Sequence, residues 1–295
     1  METKLKLLVK NYSQNRTLGD RPKPFVKWVG GKRQLIAQFQ GLNVYPPKNF
    51  DIQNNIYFEP FVGGGAMFFD LLPSNAILSD LNHELITTYR IIKNNVEDLI
   101  IDLEKHKTDK DYFLEVRSWQ PKELDELSIA SRFIFLNKTC FNGMYRVNSK
   151  GGFNVPFGKY TNPTICNKDN LRRVSNALQK AEIKHQDYKE VLKIAKNGDF
   201  IYFDPPYYPV SKTSSFTSYT SEAFLEKEQI ELRDTLVELH QRGCFVMLSN
   251  SDTPFINQIY SNLTDIRTLK VQANRAINSD ATKRGKVGEV LITNY

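Results

Sequence analysis

The sequence has few cysteines and no cluster of residues typical of a metal site. Its three cysteines, Cys140, Cys166 and Cys244, are far apart and form no CxxC pair, which argues against a zinc site and against a disulfide framework. Unpaired thiols are typical of the reducing cytosol. The sequence also lacks a hydrophobic run of membrane-spanning length and the apolar core of a signal peptide. We therefore expect a cytoplasmic protein without a metal ion or a membrane partner.

Acidic residues are outnumbered by basic ones. The 295 residues include 40 Lys and Arg against 33 Asp and Glu, a formal net charge of +7. This balance suits a polyanion such as nucleic acid, although many basic proteins bind none. Hydrophobic residues make up 40% of the chain, enough for one large domain or two modest ones.

Short apolar runs alternate with helical patterns in the first and last thirds of the chain. Runs of strand type occupy residues 56–59, 76–80, 200–203, 244–248 and 289–293. Helical spacing occurs between them at residues 67–72 and 84–93, and again from a cap at Ser221 to Gly243. The alternation indicates an α/β fold with a Rossmann-like, mostly parallel sheet flanked by helices.

The middle of the chain has a different pattern. Residues 91–185 have little strand-type periodicity, with helical patterns at 96–105, 110–119 and 123–140. Residues 141–160 are rich in Asn, Gly, basic and aromatic side chains. We interpret residues 91–185 as an inserted, mainly helical domain, and residues 1–90 and 186–295 as the catalytic domain.

Two features at strand ends favour a nucleoside site. Glycines at 63–65 allow a tight turn and a close approach to a ligand, although they also suit a plain turn. Asp80, at the end of the next strand, is placed to accept hydrogen bonds from ribose hydroxyls or to cap a helix. The turn is not GxGxxG, and no Lys-Ser/Thr follows it. A cofactor without phosphates is therefore favoured over a dinucleotide.

A third feature is the segment Asp204-Pro-Pro-Tyr207, which follows an apolar strand. Two prolines end the hydrogen-bond ladder and form a stiff turn. The Asp204 carboxylate and the Pro205 carbonyl are two acceptors, and Tyr207 offers a flat face. This set fits a planar base with an exocyclic amino group, although a rigid loop with a capping acid is the alternative. No role is indicated for Tyr208.

Several motifs occur together in the order found in one enzyme family. Asp-Pro-Pro-Tyr follows Phe-Val-Gly-Gly-Gly (61–65) and Phe-Val-Lys-Trp-Val-Gly-Gly-Lys (25–32). Further motifs are Ile-Leu-Ser-Asp (77–80), Phe-Asn-Gly-Met-Tyr-Arg (141–146), Phe-Asn-Val-Pro-Phe-Gly-Lys-Tyr (153–160), Phe-Thr-Ser-Tyr (216–219) and Leu-Ser-Asn-Ser (248–251). Over nearly its whole length the chain resembles the alpha group of the Dam/DpnM family of DNA adenine-N6 methyltransferases.

The resemblance implies S-adenosyl-L-methionine as cofactor and double-stranded DNA as partner. The residues it implies for cofactor binding are Trp28, Lys32, Phe61, Gly63, Gly65, Asp80, Asp187, Tyr188 and Asp204. Alternatives remain for three of them: core packing for Trp28, a phosphate contact for Lys32 and a plain loop carboxylate for Asp187. The catalytic residues it implies are Asp204, Pro205 and Tyr207, which would hold a flipped adenine whose amino group receives the methyl group.

The insertion would recognise DNA, with GATC as the expected target. The implied DNA-binding residues are Asn142, Arg146, Pro156, Lys138, Lys150 and Lys159. Arg146 offers a fork for guanine O6 and N7, although Asn142 and Arg146 also suit phosphate contacts or helix caps. The basic segment 282–286 suits either a backbone contact or a solvated loop.

The resemblance also indicates which partner protein to expect and which alternative functions to consider. A cognate restriction endonuclease is an expected companion without a stable complex, in a prokaryotic or phage setting, with the methyltransferase a monomer or weak dimer. The rival functions are methyl transfer to RNA adenine or protein glutamine, a catalytically silent DNA-binding protein and a nicotinamide dehydrogenase. Asp rather than Asn at position 204 disfavours glutamine, and the glycine spacing disfavours a dehydrogenase.

Overall fold

A seven-stranded sheet forms the centre of the molecule. The computed structural model describes residues 21–148, 151–210, 224–274 and 286–295. The strands are β1 (Tyr57–Glu59), β2 (Ala76–Asp80), β3 (Ala181–His185), β4 (Phe200–Phe203), β5 (Phe245–Ser251), β6 (Arg267–Asn274) and β7 (Lys286–Thr293). Their order in the sheet is β3-β2-β1-β4-β5-β7-β6.

The sheet is mostly parallel. Strands β1 to β5 pair in parallel with one another, and β7 runs antiparallel between β5 and β6. The carboxyl ends of β1, β2, β4 and β5 therefore meet at one edge, where ligands bind in folds of this class. These observations confirm the predicted mixed α/β class with a mostly parallel sheet flanked by helices.

Several helices in the described residues have a side chain that caps their N-terminus. The helices are α1 (Ile36–Gly41), α2 (Ala66–Leu71), α3 (His83–Asn94), α4 (Val96–Leu103), α5 (Lys110–Ser118), α6 (Glu126–Thr139), α7 (Lys168–Leu178), α8 (Glu226–Gln241) and α9 (Pro254–Tyr260). The side chains of Asn82, Asp109 and Asp125 accept hydrogen bonds from N–H groups in the first turns of α3, α5 and α6.

Helices cover both faces of the sheet. On one face, Leu232 of α8 and Ile256 of α9 pack with Phe203 and Val246. On the other face, helices α2 to α7 share one apolar core with Tyr57 and with other side chains of that face. The helices of the predicted insertion are thus continuous with the core of the sheet rather than separated from it.

Two edge strands differ from the sequence prediction. The prediction included residues 181–185 in the insertion and gave no strand near 267–274, but these residues form β3 and β6. Both have exposed polar positions, and β3 (Ala-Glu-Ile-Lys-His) includes three charged or titratable side chains. Such strands lack the apolar run that reveals a central strand.

The start of α8 also differs from the prediction. The helix begins at Glu226 with Leu225 at its N-cap, and Leu225 is 44% exposed rather than part of the buried helix face. Ser221, the predicted cap, lies outside the described residues. No helix within the described ranges combines the length and apolar character that a bilayer crossing requires.

Candidate active site

The glycine turn after β1 is enclosed by side chains on both sides. Gly63 and Gly65 have φ values of 45° and 66°, which a side chain would strain. A Cβ at Gly63 would lie 2.5 Å from Nε1 of Trp28, and one at Gly65 would lie 2.6 Å from the hydroxyl of Tyr89. That hydroxyl donates to the Gly63 carbonyl at 3.0 Å. The turn therefore requires glycine both for its conformation and for lack of space.

Asp80 joins this turn to the start of α3. Its Oδ2 accepts from the Gly63 N–H at 3.2 Å, and its Oδ1 accepts from the Asn82 N–H at 2.9 Å. Asn82 caps the helix, so the capping interpretation of Asp80 is not needed. Burial raises the pKa of Asp80, and the backbone N–H groups oppose that shift. Each oxygen keeps a lone pair for another donor, which fits the hydroxyls of a nucleoside.

Aromatic side chains extend the site beyond the turn. The rings of Phe61 and Tyr188 stack with centroids 5.2 Å apart and an angle of 27°. Phe224 meets Phe61 edge to face at 5.8 Å. Asp187 accepts from the Lys189 N–H at 2.9 Å and caps the short helix that begins at Tyr188. The structure thus places Phe61, Asp187 and Tyr188, all predicted for the cofactor site, close to one another.

Three predicted residues meet at the end of β4. Nζ of Lys32 lies 2.7 Å from Oδ1 of Asp204, and the Lys32 side chain is only 3% exposed. The same ammonium donates to the Gly30 carbonyl at 2.5 Å and lies 4.9 Å from the centre of the Tyr207 ring. Lys32 therefore contacts the Asp-Pro-Pro-Tyr segment directly, an arrangement that the sequence did not indicate.

The charges around Asp204 act in opposite directions. Burial raises the pKa of Asp204 to about 6, the Lys32 ammonium opposes this, and the Glu289 carboxylate adds to it. The Tyr207 hydroxyl donates to Oε2 of Glu289 at 2.8 Å. Burial and the nearby carboxylates raise the pKa of Tyr207 well above its usual value, so its phenol stays neutral. Asp204 can thus change protonation state near neutral pH.

Glu59 is a buried acid that the sequence prediction missed. It is 2% exposed, and its Oε2 accepts from the Tyr57 hydroxyl at 2.9 Å and from the Phe68 N–H at 3.0 Å. Burial raises the pKa of Glu59 to about 8, and Asp204 is near enough to add to the shift. The sequence signal that could have revealed Glu59 is an acid at the end of an apolar strand.

The predicted DNA-reading segment forms a narrow ribbon. Antiparallel bridges join Cys140 to Phe157 and Val147 to Phe153. Exposed or partly exposed positions on the ribbon or beside it hold Asn142, Arg146, Pro156 and Lys159. Lys138 lies in the last turn of α6, and Lys150 lies outside the described residues.

Arg146 is held within the ribbon by one neighbour. Its Nε donates to Oδ1 of Asn154 at 2.7 Å, and the Asn154 N–H donates back to the Arg146 carbonyl at 3.0 Å. The guanidinium is therefore oriented but still exposed.

A buried contact set connects this ribbon to the active site. The ring of Tyr145 stacks on Trp28 with centroids 6.1 Å apart. Its hydroxyl donates to Oε1 of Glu84 at 2.9 Å, and Arg132 pairs with Oε2 of the same carboxylate at 2.8 Å. Trp28 therefore packs between the glycine turn and the ribbon, as the packing interpretation predicts, and its cofactor contact stays a prediction.

Two lysines lie together where the ribbon begins. The Asn137 side chain accepts from the Lys27 N–H and donates to the Lys27 carbonyl, each at 2.8 Å, which places the Lys27 backbone beside the end of α6. The Lys27 ammonium lies 4.4 Å from the centre of the Tyr160 ring. Burial, followed by the charge of Lys27, lowers the pKa of Lys138 to about 8. Neither ammonium has an acidic partner among the residues that the structure describes. The pair is suited to an external anion.

Comparison with known proteins agrees with this arrangement. Residues 28–277 match the family model of the D12 class N6 adenine-specific DNA methyltransferases. The chain is 43% identical over 281 residues to the type II methyltransferase M1.LlaDCHI of Lactococcus lactis, covering 92% of this chain and 95% of the relative. It is 40% identical to the type II methyltransferase M.MjaIII of Methanocaldococcus jannaschii, covering 92% and 99%.

A third relative is named a DNA adenine methylase. The DNA adenine methylase of Escherichia coli is 31% identical over 271 residues, covering 90% of this chain and 93% of that protein. The family match spans the glycine turn, the ribbon and the Asp-Pro-Pro-Tyr segment together. It selects DNA adenine methylation over the rival functions left open by the residues alone. The chain belongs to the D12 class of N6 adenine-specific DNA methyltransferases.

Proposed function

We propose that this enzyme transfers the methyl group of S-adenosyl-L-methionine to N6 of an adenine flipped out of double-stranded DNA, with GATC as its target. The observation that carries the proposal is the position of Asp204 and Tyr207. They follow β4 at the sheet edge where the Gly63 turn and Asp80 also lie. The methyl acceptor and the cofactor would thus meet at one edge of the sheet.

The cofactor site is assigned to the glycine turn and its neighbours. Asp80 accepts the ribose hydroxyls, the Phe61 side chain and the backbone at Gly63 and Gly65 form the floor under the methionine part, and Asp187 and Tyr188 border the adenine. When bound, the cofactor supplies an electrophilic methyl group on a sulfonium. Trp28 supports the turn from behind, because its indole leaves no room for a Cβ at Gly63.

Two acceptors hold the amino group of the target adenine. Among the described residues, neither Oδ2 of Asp204 nor the Pro205 carbonyl has a hydrogen-bond donor, so both are available for the N6 hydrogens. Acceptors outside the plane of the ring favour a pyramidal nitrogen with its lone pair toward the methyl group. Positioning and electrostatics then lower the barrier without a covalent enzyme intermediate.

Lys32 and Asp204 also determine where the proton that N6 loses is transferred. The Lys32 ammonium favours the ionised carboxylate that accepts from N6. Because its pKa is raised to about 6, Asp204 is a better proton acceptor than an ordinary carboxylate. Asp204 is therefore assigned the departing proton as well as one hydrogen bond.

Tyr207 receives the flipped base by stacking. Extruding a base from the duplex costs a few kcal/mol, and stacking on an aromatic ring returns about 1–3 kcal/mol. The bond from its hydroxyl to Glu289 restricts the orientation of the ring. The base is thus received by a ring that is already oriented.

The segment 91–185, apart from strand β3, is assigned to DNA recognition. Arg146 contacts a guanine edge, with Asn142 and Pro156 at neighbouring bases, and Lys138, Lys150 and Lys159 contact phosphates. We place the enzyme in the cytoplasm of a prokaryotic or phage-infected cell, as a monomer or weak dimer. A restriction endonuclease of the same specificity would act beside it without a stable complex.

One assay tests this function. The enzyme is incubated with S-adenosyl-L-methionine labelled in the methyl group and with unmethylated duplexes that contain or lack GATC. We expect label on adenine N6 only in the GATC duplex, and loss of label when the guanine is replaced. No label in any DNA would refute the methyl-transfer proposal. Label in both duplexes would refute the target sequence alone.

A further inference from the structure

The Asp-Pro-Pro-Tyr segment has little means of holding itself in place. Residues 205–209 contain three prolines, so only Tyr207 and Tyr208 provide backbone N–H groups. The segment leaves the sheet after Phe203, beyond the last β4 pair with Leu248. Its geometry must therefore come from side chains outside the segment.

Two buried amide side chains provide that support. Asn250 of β5 and Gln229 of α8 are both 0% exposed, and Nδ2 of Asn250 donates to Oε1 of Gln229 at 2.8 Å. Nε2 of Gln229 donates to the Pro206 carbonyl at 3.0 Å. Oδ1 of Asn250 accepts from the Tyr208 N–H at 3.1 Å. The two amides thus hold the backbone immediately before and after Tyr207.

A third residue completes the support on the side of β5. The Ser251 hydroxyl donates to the Tyr208 carbonyl at 2.7 Å, and the Ser251 N–H donates to Oδ1 of Asn250 at 2.9 Å. The Tyr208 ring packs on Phe255 at 4.6 Å, and its hydroxyl donates to Glu226 at 2.9 Å. Tyr208, which had no role in the sequence analysis, therefore anchors the far side of the segment.

The placement of Gln229 is unusual for a core helix face. Gln229 lies on the same buried face of α8 as Leu232 and Leu236. Burying an amide is unfavourable unless its donor and acceptor groups are both paired, and an apolar side chain would avoid that cost. Here both ends of Gln229 are paired, one to Asn250 and one to the catalytic segment. The polar side chain therefore serves the segment rather than the core.

We infer that Gln229 and Asn250 are positioning residues for the methyl-transfer step, through the Pro206 carbonyl and the Tyr208 N–H. The inference rests on the proposed function. By fixing the backbone on both sides of Tyr207, the two amides set the direction of the Pro205 carbonyl and the plane of the Tyr207 ring. A misplacement of about 1 Å at such groups costs roughly 10²-fold in rate.

The test compares two variants with a matched control. Asn250→Ala removes the acceptor for Tyr208, and Gln229→Met removes both bonds of Gln229 with little change in volume. Leu232→Ala destabilises the same helix face and removes no hydrogen bond to the segment. Three quantities are measured for each folded protein: the single-turnover methylation rate with saturating DNA and cofactor, the dissociation constant for DNA, and hydrogen exchange in a peptide spanning residues 204–209.

A positioning role predicts a specific pattern. Asn250→Ala and Gln229→Met should lower the single-turnover rate by roughly 10–100-fold and leave DNA affinity within about threefold. The Tyr208 amide, whose hydrogen-bond acceptor is removed, should exchange faster in Asn250→Ala. Leu232→Ala should lower the melting temperature. At temperatures where this variant is folded, its single-turnover rate should equal that of the wild-type protein.

Other patterns would overturn the inference. A wild-type rate in both amide variants would refute the positioning role, as would an equal loss of rate in Leu232→Ala. Absence of transfer by the wild-type enzyme would instead refute the proposed function, and this inference with it.

Discussion

The ammonium group of Lys32 lies 2.7 Å from Oδ1 of Asp204, although the two residues belong to widely separated parts of the chain. Burial raises the pKa of the Asp204 carboxyl, the Lys32 ammonium opposes this increase, and the resulting pKa is about 6. The pKa of Asp204 therefore has to meet two requirements. In the proposed mechanism, Asp204 must be ionised to accept a hydrogen bond from the adenine amino group and basic enough to take its proton.

Removal of the Asp204 carboxylate should stop the chemistry without stopping DNA binding. Asp204→Ala removes one of the two acceptors for the adenine amino group. We expect the single-turnover rate to fall by roughly 10²–10⁴-fold, with the dissociation constant for DNA little changed. Methylation and DNA binding are measured on the same preparation. Turnover near the wild-type level would contradict the amino-group mechanism.

The pH dependence of the rate should follow the charges around Asp204. The rate should fall as pH drops through about 6, because the carboxylate becomes protonated and loses its acceptor. Lys32→Met should move the apparent pKa upward, since a nearby positive charge is lost. Glu289→Gln should move it downward, since a nearby negative charge is lost. Single-turnover profiles from pH 5 to 9 test this, and shifts of both variants in the same direction would exclude it.

Stability should depend on the proton of Glu59. The folded pKa is about 8 against an ordinary value of 4.5, so between these pH values the folded protein holds a proton that the unfolded chain releases. Its contribution to stability is complete below pH 4.5 and is lost as pH rises to about 8. Glu59→Gln should remove a slope of up to about 1.4 kcal/mol per pH unit from the unfolding free energy. Urea denaturation at pH 5.5, 6.5 and 7.5 measures it; parallel curves for the two proteins would disprove it.

Arg146 and Lys159 should differ in the kind of binding they support. Arg146→Ala should reduce discrimination at one guanine by about 1–3 kcal/mol. Lys159→Ala, the matched control, should weaken binding to all duplexes evenly and reduce the salt slope by about one. Titrations with GATC and guanine-substituted duplexes separate the two. Equal losses on every duplex for Arg146→Ala would assign that residue to phosphate instead.

Lys138 should make DNA binding sensitive to mildly alkaline pH. Because its pKa is lowered to about 8, its charge is present at pH 7 and mostly lost at pH 9. The salt slope of DNA binding should therefore decrease by about one between these pH values. Lys138→Arg should retain the slope, since arginine stays charged. An unchanged slope in the wild-type protein would remove Lys138 from the DNA contacts.

The central strands and the motifs at their ends could be predicted because one feature marks both. An apolar run ends in a glycine turn, in Asp80 or in Asp204, and each such end lies at the same edge of the parallel sheet. The edge strands β3 and β6 could not be predicted in this way, because half of their positions face solvent and permit polar side chains. Periodicity reveals burial, and these strands are only partly buried.

The missed site residues share a physical reason. Glu289 and Gln229 act on Tyr207 and Pro206 through contacts between segments far apart in the chain, and local sequence does not encode such contacts. Asn250 lay within the quoted motif at 248–251, but its type alone does not reveal which backbone groups it meets. The ion pair of Lys32 with Asp204 is similar, since each residue was predicted for the site but not their contact.

The pairing of β1 with β4 has a consequence for how the enzyme acquires its activity. These strands are separated in sequence by α2 to α7, β2 and β3, and β4 must also align with β5 before Asn250 reaches Tyr208. Contacts between such distant segments form slowly, because a long loop must close before they are gained. Helices that pack with near neighbours, such as α4 with α6, need no such closure. We therefore expect the sheet edge that carries Asp204 and Tyr207 to form late in folding, after the helices that pack with near neighbours.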